Sequence, residues 1–191
     1  RSFASLASSK EVISRSKDFQ REMFAQKYIL GVDRLDYSKG IPERLRGFQR
    51  CLERYPELRE KLSLMQVVVP SRESVGEYLD LKQEIELLIS RINGEYSTMR
   101  WVPVHWRYGS VPRSELAALY RGAEMALVTS LKDGMNLVCK EYCACKGDGS
   151  GVLVLSEFAG AAIQLSKGAL LVNPYDVDAV AAAIAEGFAM D

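Results

Sequence analysis

The sequence contains a single histidine, His105, which restricts the chemistry we can expect. No Ser-His-Asp triad or histidine acid–base pair can be assembled convincingly around it. Neither sign of charge is in excess, because 25 Lys and Arg residues balance 25 Asp and Glu residues. Nucleic-acid-binding domains usually carry a basic excess, so nucleic acid is not an expected partner. Any phosphate recognition must come from a local group of cations.

Long apolar runs are also missing. No apolar stretch reaches the roughly 20 residues that span a bilayer, and no signal peptide is visible. We therefore expect no membrane association and a cytoplasmic location. The chain opens on Arg1 rather than Met, so we expect it to be part of a longer protein.

The four cysteines are too few to suggest a disulfide framework in 191 residues, and they indicate a reducing compartment. Cys139, Cys143 and Cys145 lie close in sequence, which raises the hypothesis of a metal site. Structural zinc requires four ligands, however, and no fourth Cys or His is near. We expect instead that Cys139 and Cys143 share one helix face and pack as small hydrophobes.

Apolar runs alternate with helical periodicities along the whole chain. Strands are predicted at residues 28–32, 64–69, 101–105, 125–129, 152–155 and 169–172. Helices are predicted from a capping box at Ser8 to Glu11 toward Phe24, at residues 42–55, 74–93, 112–120, 137–146 and 158–165, and after the cap Asp176. This alternation predicts an α/β fold: a doubly wound, mainly parallel six-stranded Rossmann-like sheet with helices on both faces.

Two loops that follow predicted strands carry the most chemistry. The first reads VDRLDYSKG from Val32, and the second reads DGMNLVCKE from Asp133. In a doubly wound sheet the carboxyl ends of the strands line one crevice, so we expect both loops to face it. Arg34 and Lys39 with helix-start amides suit a pyrophosphate, whereas Asp133 and Glu141 suit sugar hydroxyls. Together the loops predict a nucleotide-sugar site.

The backbone of both loops is expected to be unusual. Gly40, with Ser38, would allow a tight turn, and Gly134 and Asn136 can take backbone angles that other residues avoid. Asp33 and Asp36 form a DxxD pattern, but two carboxylates without further oxygen ligands make a poor magnesium site.

Several motifs, in order, resemble those of the trehalose-6-phosphate synthase family. They are the two loops, PSR from Pro70, GVLVLSEFAGAA from Gly151 and NPYD from Asn173. That family consists of retaining glycosyltransferases with the two-domain GT-B fold. The resemblance covers only the C-terminal, donor-binding half. It implies that residues 1–191 form a single nucleotide-sugar-binding domain and that the N-terminal acceptor domain is absent.

The resemblance also implies roles for the cations and for the second loop. Arg34 and Lys39 would clamp the donor pyrophosphate and stabilise the charge left on UDP. Asp133 would accept hydrogen bonds from glucose hydroxyls. Backbone groups of the loop from Asp133 to Leu137 would hold the glucosyl unit and a phosphate; after Asp133 this loop comprises Gly134, Met135, Asn136 and Leu137.

The remaining implied roles concern the nucleoside and the acceptor. The Glu141 carboxylate would bind both ribose hydroxyls. The Val111 backbone would meet the uracil, and Val138 would pack near that base. Arg72 would contact the phosphate of the acceptor.

The activity implied is transfer of glucose from UDP-glucose to glucose 6-phosphate with retention, by a front-face route and without a metal or other cofactor. This half alone is expected to be inactive. The sequence leaves open a sister transferase such as glucosylglycerol-phosphate synthase, a non-catalytic regulatory homologue, and ADP- or GDP-glucose as donor. It also leaves open a phosphatase domain beyond Asp191 and a homo-oligomer of the full enzyme.

Overall fold

A computed structural model of the protein describes residues 2–23, 25, 27–71 and 76–190. One sheet is built from β1 (Lys27–Arg34), β2 (Leu62–Val69), β3 (Val104–Tyr108), β4 (Met125–Val128), β5 (Val152–Ser156) and β6 (Leu170–Val172). The strand order is β3-β2-β1-β4-β5-β6, and every neighbouring pair is parallel. The predicted six-stranded doubly wound sheet is therefore confirmed. Its order reverses between β1 and β4, where such folds open a crevice at the carboxyl ends.

The helices cover both faces of this sheet. Within the described residues they are α1 (Phe3–Ala7), α2 (Lys10–Glu22), α3 (Ile41–Arg54), α4 (Gly76–Tyr96), α5 (Arg113–Gly122), α6 (Leu137–Cys145), α7 (Ala162–Leu165) and α8 (Val177–Ala189). The cap of α2 is Ser9 rather than Ser8 of the predicted capping box, and the Ser9 hydroxyl accepts from the Val12 amide at 3.3 Å. Asp176 caps α8 as predicted, accepting from the Ala179 amide at 2.9 Å. None of the helices described is both long and apolar enough to cross a bilayer.

Two apolar clusters form the core, one on each face of the sheet. The alternation of β1 divides its side chains, with Ile29 in one cluster and Tyr28 and Leu30 in the other. Helices α3, α4 and α8 pack in the first cluster, and α1, α2, α5 and α6 in the second. The inner face of α3 is apolar, and its residues Leu45, Phe48 and Leu52 are fully buried. Each such side chain contributes about 1.5–3 kcal/mol by burial.

Three further predictions about strands, helices and buried residues were wrong. Strand β3 begins at Val104 rather than at residue 101, and Trp101 instead lies buried before it, donating from Nε1 to the Ser63 hydroxyl at 2.9 Å. Helix α7 was predicted at residues 158–165 but occupies only Ala162–Leu165, and residues 158–161 are not helical. Cys143 is exposed on α6, so only Cys139 of the predicted pair packs in the core.

Candidate functional site

The first loop holds Lys39 on a short 3₁₀ turn between β1 and α3. Asp36 fixes this turn by accepting from the Ser38 amide at 2.9 Å and from the Ser38 hydroxyl at 2.6 Å. Gly40 follows in the left-handed region at φ 61°, where a Cβ would overlap the Thr129 carbonyl oxygen. Only glycine fits this close approach, and it aims Lys39 at the end of β4. The predicted tight turn is confirmed.

The second loop is organised by Asp133 and Asn136. One Asp133 oxygen accepts from the amides of Met135 at 3.3 Å and Asn136 at 3.1 Å. Asn136 caps α6, because its side-chain oxygen accepts from the Cys139 amide at 3.0 Å. Asn136 also has the positive φ, 67°, whereas Gly134 is not in the left-handed region. The prediction of an unusual backbone angle was thus right for Asn136 and wrong for Gly134.

The two loops meet through an ion pair between residues that lie far apart in sequence. Lys39 Nζ donates to Asp133 Oδ2 at 2.6 Å, and the two side chains are only 15% and 13% exposed. Burial opposes ionisation of Asp133, but the hydrogen bond from Lys39 and the loop amides outweigh it and lower the pKa of Asp133. The Leu131 amide also donates to the Ser38 carbonyl oxygen at 2.8 Å. The loops therefore form one rigid edge.

A cavity of about 350 Å³ opens between the two loops. Its lining residues are Val32, Asp33, Arg34, Lys39, Asp133, Met135, Asn136, Leu137 and Val138. Most of the site residues predicted from sequence thus come together. Val111, Gly134 and Glu141 are not among the described residues that line the cavity, and Arg72 lies outside the described residues.

The cavity combines charges of both signs. Arg34, at the end of β1, is exposed and makes no ion pair with any described residue, so its guanidinium is available to an anion. The amino end of α6 is at the cavity wall, and helix amino ends attract anions through their free amides. Asp133 contributes a carboxylate that accepts hydrogen bonds. Such a cavity can hold a phosphorylated ligand whose other end carries hydroxyl groups.

A buried ion pair under the cavity was missed from sequence. Asp33 lines the cavity, and its carboxylate is paired with Arg44 of α3 in a fully buried contact. The Arg44 guanidinium also donates to Thr129 Oγ1 at 3.1 Å and to Gln66 Oε1 at 3.0 Å. The signal was present, because Asp33 follows the apolar residues of β1 and Arg44 interrupts the apolar face of α3. Asp33 and Asp36 therefore have separate structural partners.

A third loop, after β5, supports the second one. The Gly160 amide donates to the Asp133 carbonyl oxygen at 2.8 Å, and the Ala161 amide donates to that of Met135 at 2.9 Å. A Cβ on Gly160 would overlap the Gly134 carbonyl oxygen. The helix predicted from residue 158 is replaced by turns at this place, since its amides bond to the second loop. The glycine inside the predicted helix was the available signal.

Glu141 lies on α6 one turn beyond the cavity. Its Oε2 accepts from the Tyr120 hydroxyl of α5 at 3.0 Å. Val111 and Val138 are both half-buried at the margin of the apolar cluster that contains Tyr120. His105 is the second residue of β3 rather than the last residue of a strand. In the described part of the chain, no group of three or more His, Cys, Asp or Glu side chains is arranged to hold a metal ion.

Comparison with known proteins gives the family. The family model described as Glycosyltransferase family 20 matches residues 1–191, and the chain belongs to that family. A Dictyostelium discoideum protein named alpha,alpha-trehalose-phosphate synthase [UDP-forming] A is 48% identical over 174 residues. The match covers 91% of this chain and 24% of that protein, so the chain spans about a quarter of its relative's length.

Solved structures agree with this assignment. A Burkholderia xenovorans alpha,alpha-trehalose-phosphate synthase (UDP-forming), in complex with glucose-6-phosphate, superposes with a TM-score of 0.94 at 42% identity. That match covers 99% of this chain and 42% of the other. An E. coli trehalose-6-phosphate protein bound with UDP-2-fluoro glucose gives a TM-score of 0.88 at 39% identity, covering 95% of this chain and 42% of the other.

Proposed function

We propose that this chain binds UDP-glucose and forms the donor half of a trehalose-6-phosphate synthase. The observation that carries the proposal is the cavity where Arg34 and Lys39 face Asp133 and the amino end of α6. The names of the similar proteins support trehalose 6-phosphate as the product and UDP as the leaving group. They favour this activity over a sister transferase with another acceptor and over a regulatory homologue.

The donor would lie across the cavity with its pyrophosphate at the cations. Arg34 supplies a planar fork for phosphate oxygens, and Lys39 supplies a point charge. Asp133, already oriented by two loop amides, accepts from glucose hydroxyls, while backbone groups from Gly134 to Leu137 hold the glucosyl unit and a phosphate. Glu141 binds the ribose hydroxyls. The Val111 backbone and the Val138 side chain meet the base.

Transfer would depend on electrostatics and positioning. Arg34 and Lys39 stabilise the negative charge that develops on UDP as the glycosidic bond breaks. The two carboxylates that line the cavity are both held by cations, Asp33 by Arg44 and Asp133 by Lys39. Neither is free to act as a nucleophile, which supports a front-face route with retention. No metal or other cofactor is proposed, because cations and helix amides take the place of a divalent ion.

The acceptor site is proposed to lie mainly outside this chain. Glucose 6-phosphate would bind a second, N-terminal domain of the full enzyme, with Arg72 contacting its phosphate. Residues 1–191 would then be one donor-binding domain, with negligible transfer when alone.

Titration calorimetry of UDP and UDP-glucose against this chain tests the proposal. Arg34→Ala and Glu141→Gln should each weaken a saturable binding, and losing one charge-assisted contact of Arg34 corresponds to about 1.5–3 kcal/mol. Arg50→Ala is the matched control, because Arg50 of α3 pairs with Asp178 of α8 and does not line the cavity. Binding by the parent chain that neither site substitution changes would contradict the proposed site. If neither ligand binds to the folded parent chain, nor to a full-length protein that contains it, the donor assignment is contradicted.

A further inference from the structure

Tyr120 is a buried tyrosine whose hydroxyl has one hydrogen-bond partner among the described residues, and that partner belongs to the proposed site. Its ring is fully buried and contacts Phe3 and Tyr142 edge-on, with ring centroids 5.7 Å and 6.5 Å away. These contacts hold the ring between α1 and α6. The hydroxyl then points from α5 to α6 and donates to Glu141 Oε2 at 3.0 Å. Burial, followed by the nearby Glu141 carboxylate, raises the pKa of Tyr120, so the phenol stays a donor at neutral pH.

The carboxylate of Glu141 is held at one oxygen. No described residue donates to its other oxygen, Oε1, and the side chain is half-buried. A free glutamate side chain samples several rotamers, and each one directs the carboxylate differently. A diol requires two acceptor positions in fixed geometry. One anchored oxygen fixes the carboxylate plane while lone pairs on both oxygens remain for a ligand.

We infer that Tyr120 is a positioning residue that aligns the Glu141 carboxylate for a vicinal diol. The inference rests on the proposed function, in which that diol is the ribose of UDP. Tyr120 itself would not touch the ligand. Its contribution should therefore appear only with ligands that carry the hydroxyl groups, and not with those that lack them.

The test compares UDP with 2′,3′-dideoxyuridine 5′-diphosphate by titration calorimetry on this chain. The measured quantity is the ratio of the two dissociation constants, which reports the contribution of the diol. Tyr120→Phe should weaken UDP binding about three- to tenfold, as expected for one aligned hydrogen bond. Binding of the dideoxy ligand should change less than about twofold.

Tyr142→Phe is the matched control. Tyr142 is also buried, lies beside Tyr120 and donates to the Glu124 carbonyl oxygen at 3.0 Å, so its substitution removes a buried hydroxyl that makes no hydrogen bond to Glu141. It should lower the melting temperature and leave the ratio unchanged. A Tyr120→Phe chain with the parent ratio overturns the inference. So does a Tyr142→Phe chain in which the ratio falls as much as it does in Tyr120→Phe.

Two further variants separate the possible failures. If Glu141→Gln keeps the parent ratio of dissociation constants, Glu141 does not bind the ribose, and both that proposed contact and the role of Tyr120 are refuted. If the ratio falls in Glu141→Gln but stays at the parent value in Tyr120→Phe, the ribose contact stands and only the role of Tyr120 is refuted. Should Tyr120→Phe not fold, Glu141→Asp withdraws the carboxylate from Tyr120 by one methylene and keeps its charge. The ratio must then fall to that of Glu141→Gln, and a parent-like ratio overturns the inference.

Discussion

Substitutions at the two ends of the Lys39–Asp133 ion pair should affect UDP binding in opposite directions. The pair is short, at 2.6 Å, and its side chains are 15% and 13% exposed, so solvent screens it weakly. Lys39→Ala removes a cation from the proposed pyrophosphate site and leaves the Asp133 charge facing it. Asp133→Asn removes that negative charge and leaves Lys39 entirely to the phosphate. The asparagine retains an oxygen for the loop amides of Met135 and Asn136.

The magnitudes follow from the contacts. A hydrogen bond to a charged group is worth about 1.5–3 kcal/mol, so Lys39→Ala should weaken UDP about 10- to 150-fold. Lys39 already holds Asp133 in the free chain, which places the expected loss near the lower end. Asp133→Asn should tighten UDP severalfold, about 0.5–1 kcal/mol, and should abolish the additional affinity that glucose gives UDP-glucose.

Calorimetry with UDP and UDP-glucose measures both effects, with melting temperatures as the check on folding. The Asp133→Asn chain should be slightly less stable, because the Asn136 side-chain amide loses its acceptor at 3.1 Å. An Asp133→Asn chain that binds UDP as weakly as Lys39→Ala would refute the reasoning, since the carboxylate would then be supporting the loop alone. So would a Lys39→Ala chain with parent affinity.

Four further substitutions or treatments have expected outcomes. Arg44→Met should lower the free energy of unfolding in urea by about 3–5 kcal/mol by leaving Asp33 buried without its partner, and adding Asp33→Asn should recover part of that loss. Asn136→Ala should melt lower than Asn136→Gly, because both lose the helix cap but only alanine is strained at φ 67°. Iodoacetamide should label Cys143 first in the folded chain, because the other three thiols are buried; equal labelling of all four would contradict the packing. The free energy of unfolding should also fall on acidification below about pH 4, as urea titrations at several pH values would measure. The pKa of Asp133 is lower in the folded chain than in the unfolded chain, so its ionised carboxylate stabilises the fold at any pH above the unfolded-state pKa. That stabilisation is lost as the pH drops through the folded-state pKa.

The sequence alone determined the layers of the fold and the places of the two site loops. Local rules were sufficient there: continuous apolar strands, the proline in the first turn of α3, and the cap Asp176 all act within a few residues. Because parallel strands put their carboxyl ends on one edge, the joint placement of Lys39 and Asp133 could be predicted without coordinates.

Local sequence patterns were insufficient to predict secondary structure where contacts with other elements determine it. Strand β3 is an edge strand with mostly half-buried side chains, so its pattern was weaker than that of the apolar residues before it. Residues 158–161 were predicted as helix, but bonds to the Asp133 loop replace that structure. An unusual backbone angle was expected at both Gly134 and Asn136, and a positive φ occurs only at Asn136 of the two. The Asp133 carboxylate accepts from the amides of Met135 and Asn136 and so shapes this turn.

Only the tertiary structure decided the pairings of charged and polar groups. Lys39 with Asp133, Arg44 with Asp33, and Tyr120 with Glu141 join different helices, strands and loops. A hydrogen bond between such groups depends on distances below about 3.2 Å, which spacing along the chain does not specify. Sequence patterns identify the face or edge on which a residue lies. Which of several nearby partners it meets is set by the packing of the elements that carry it.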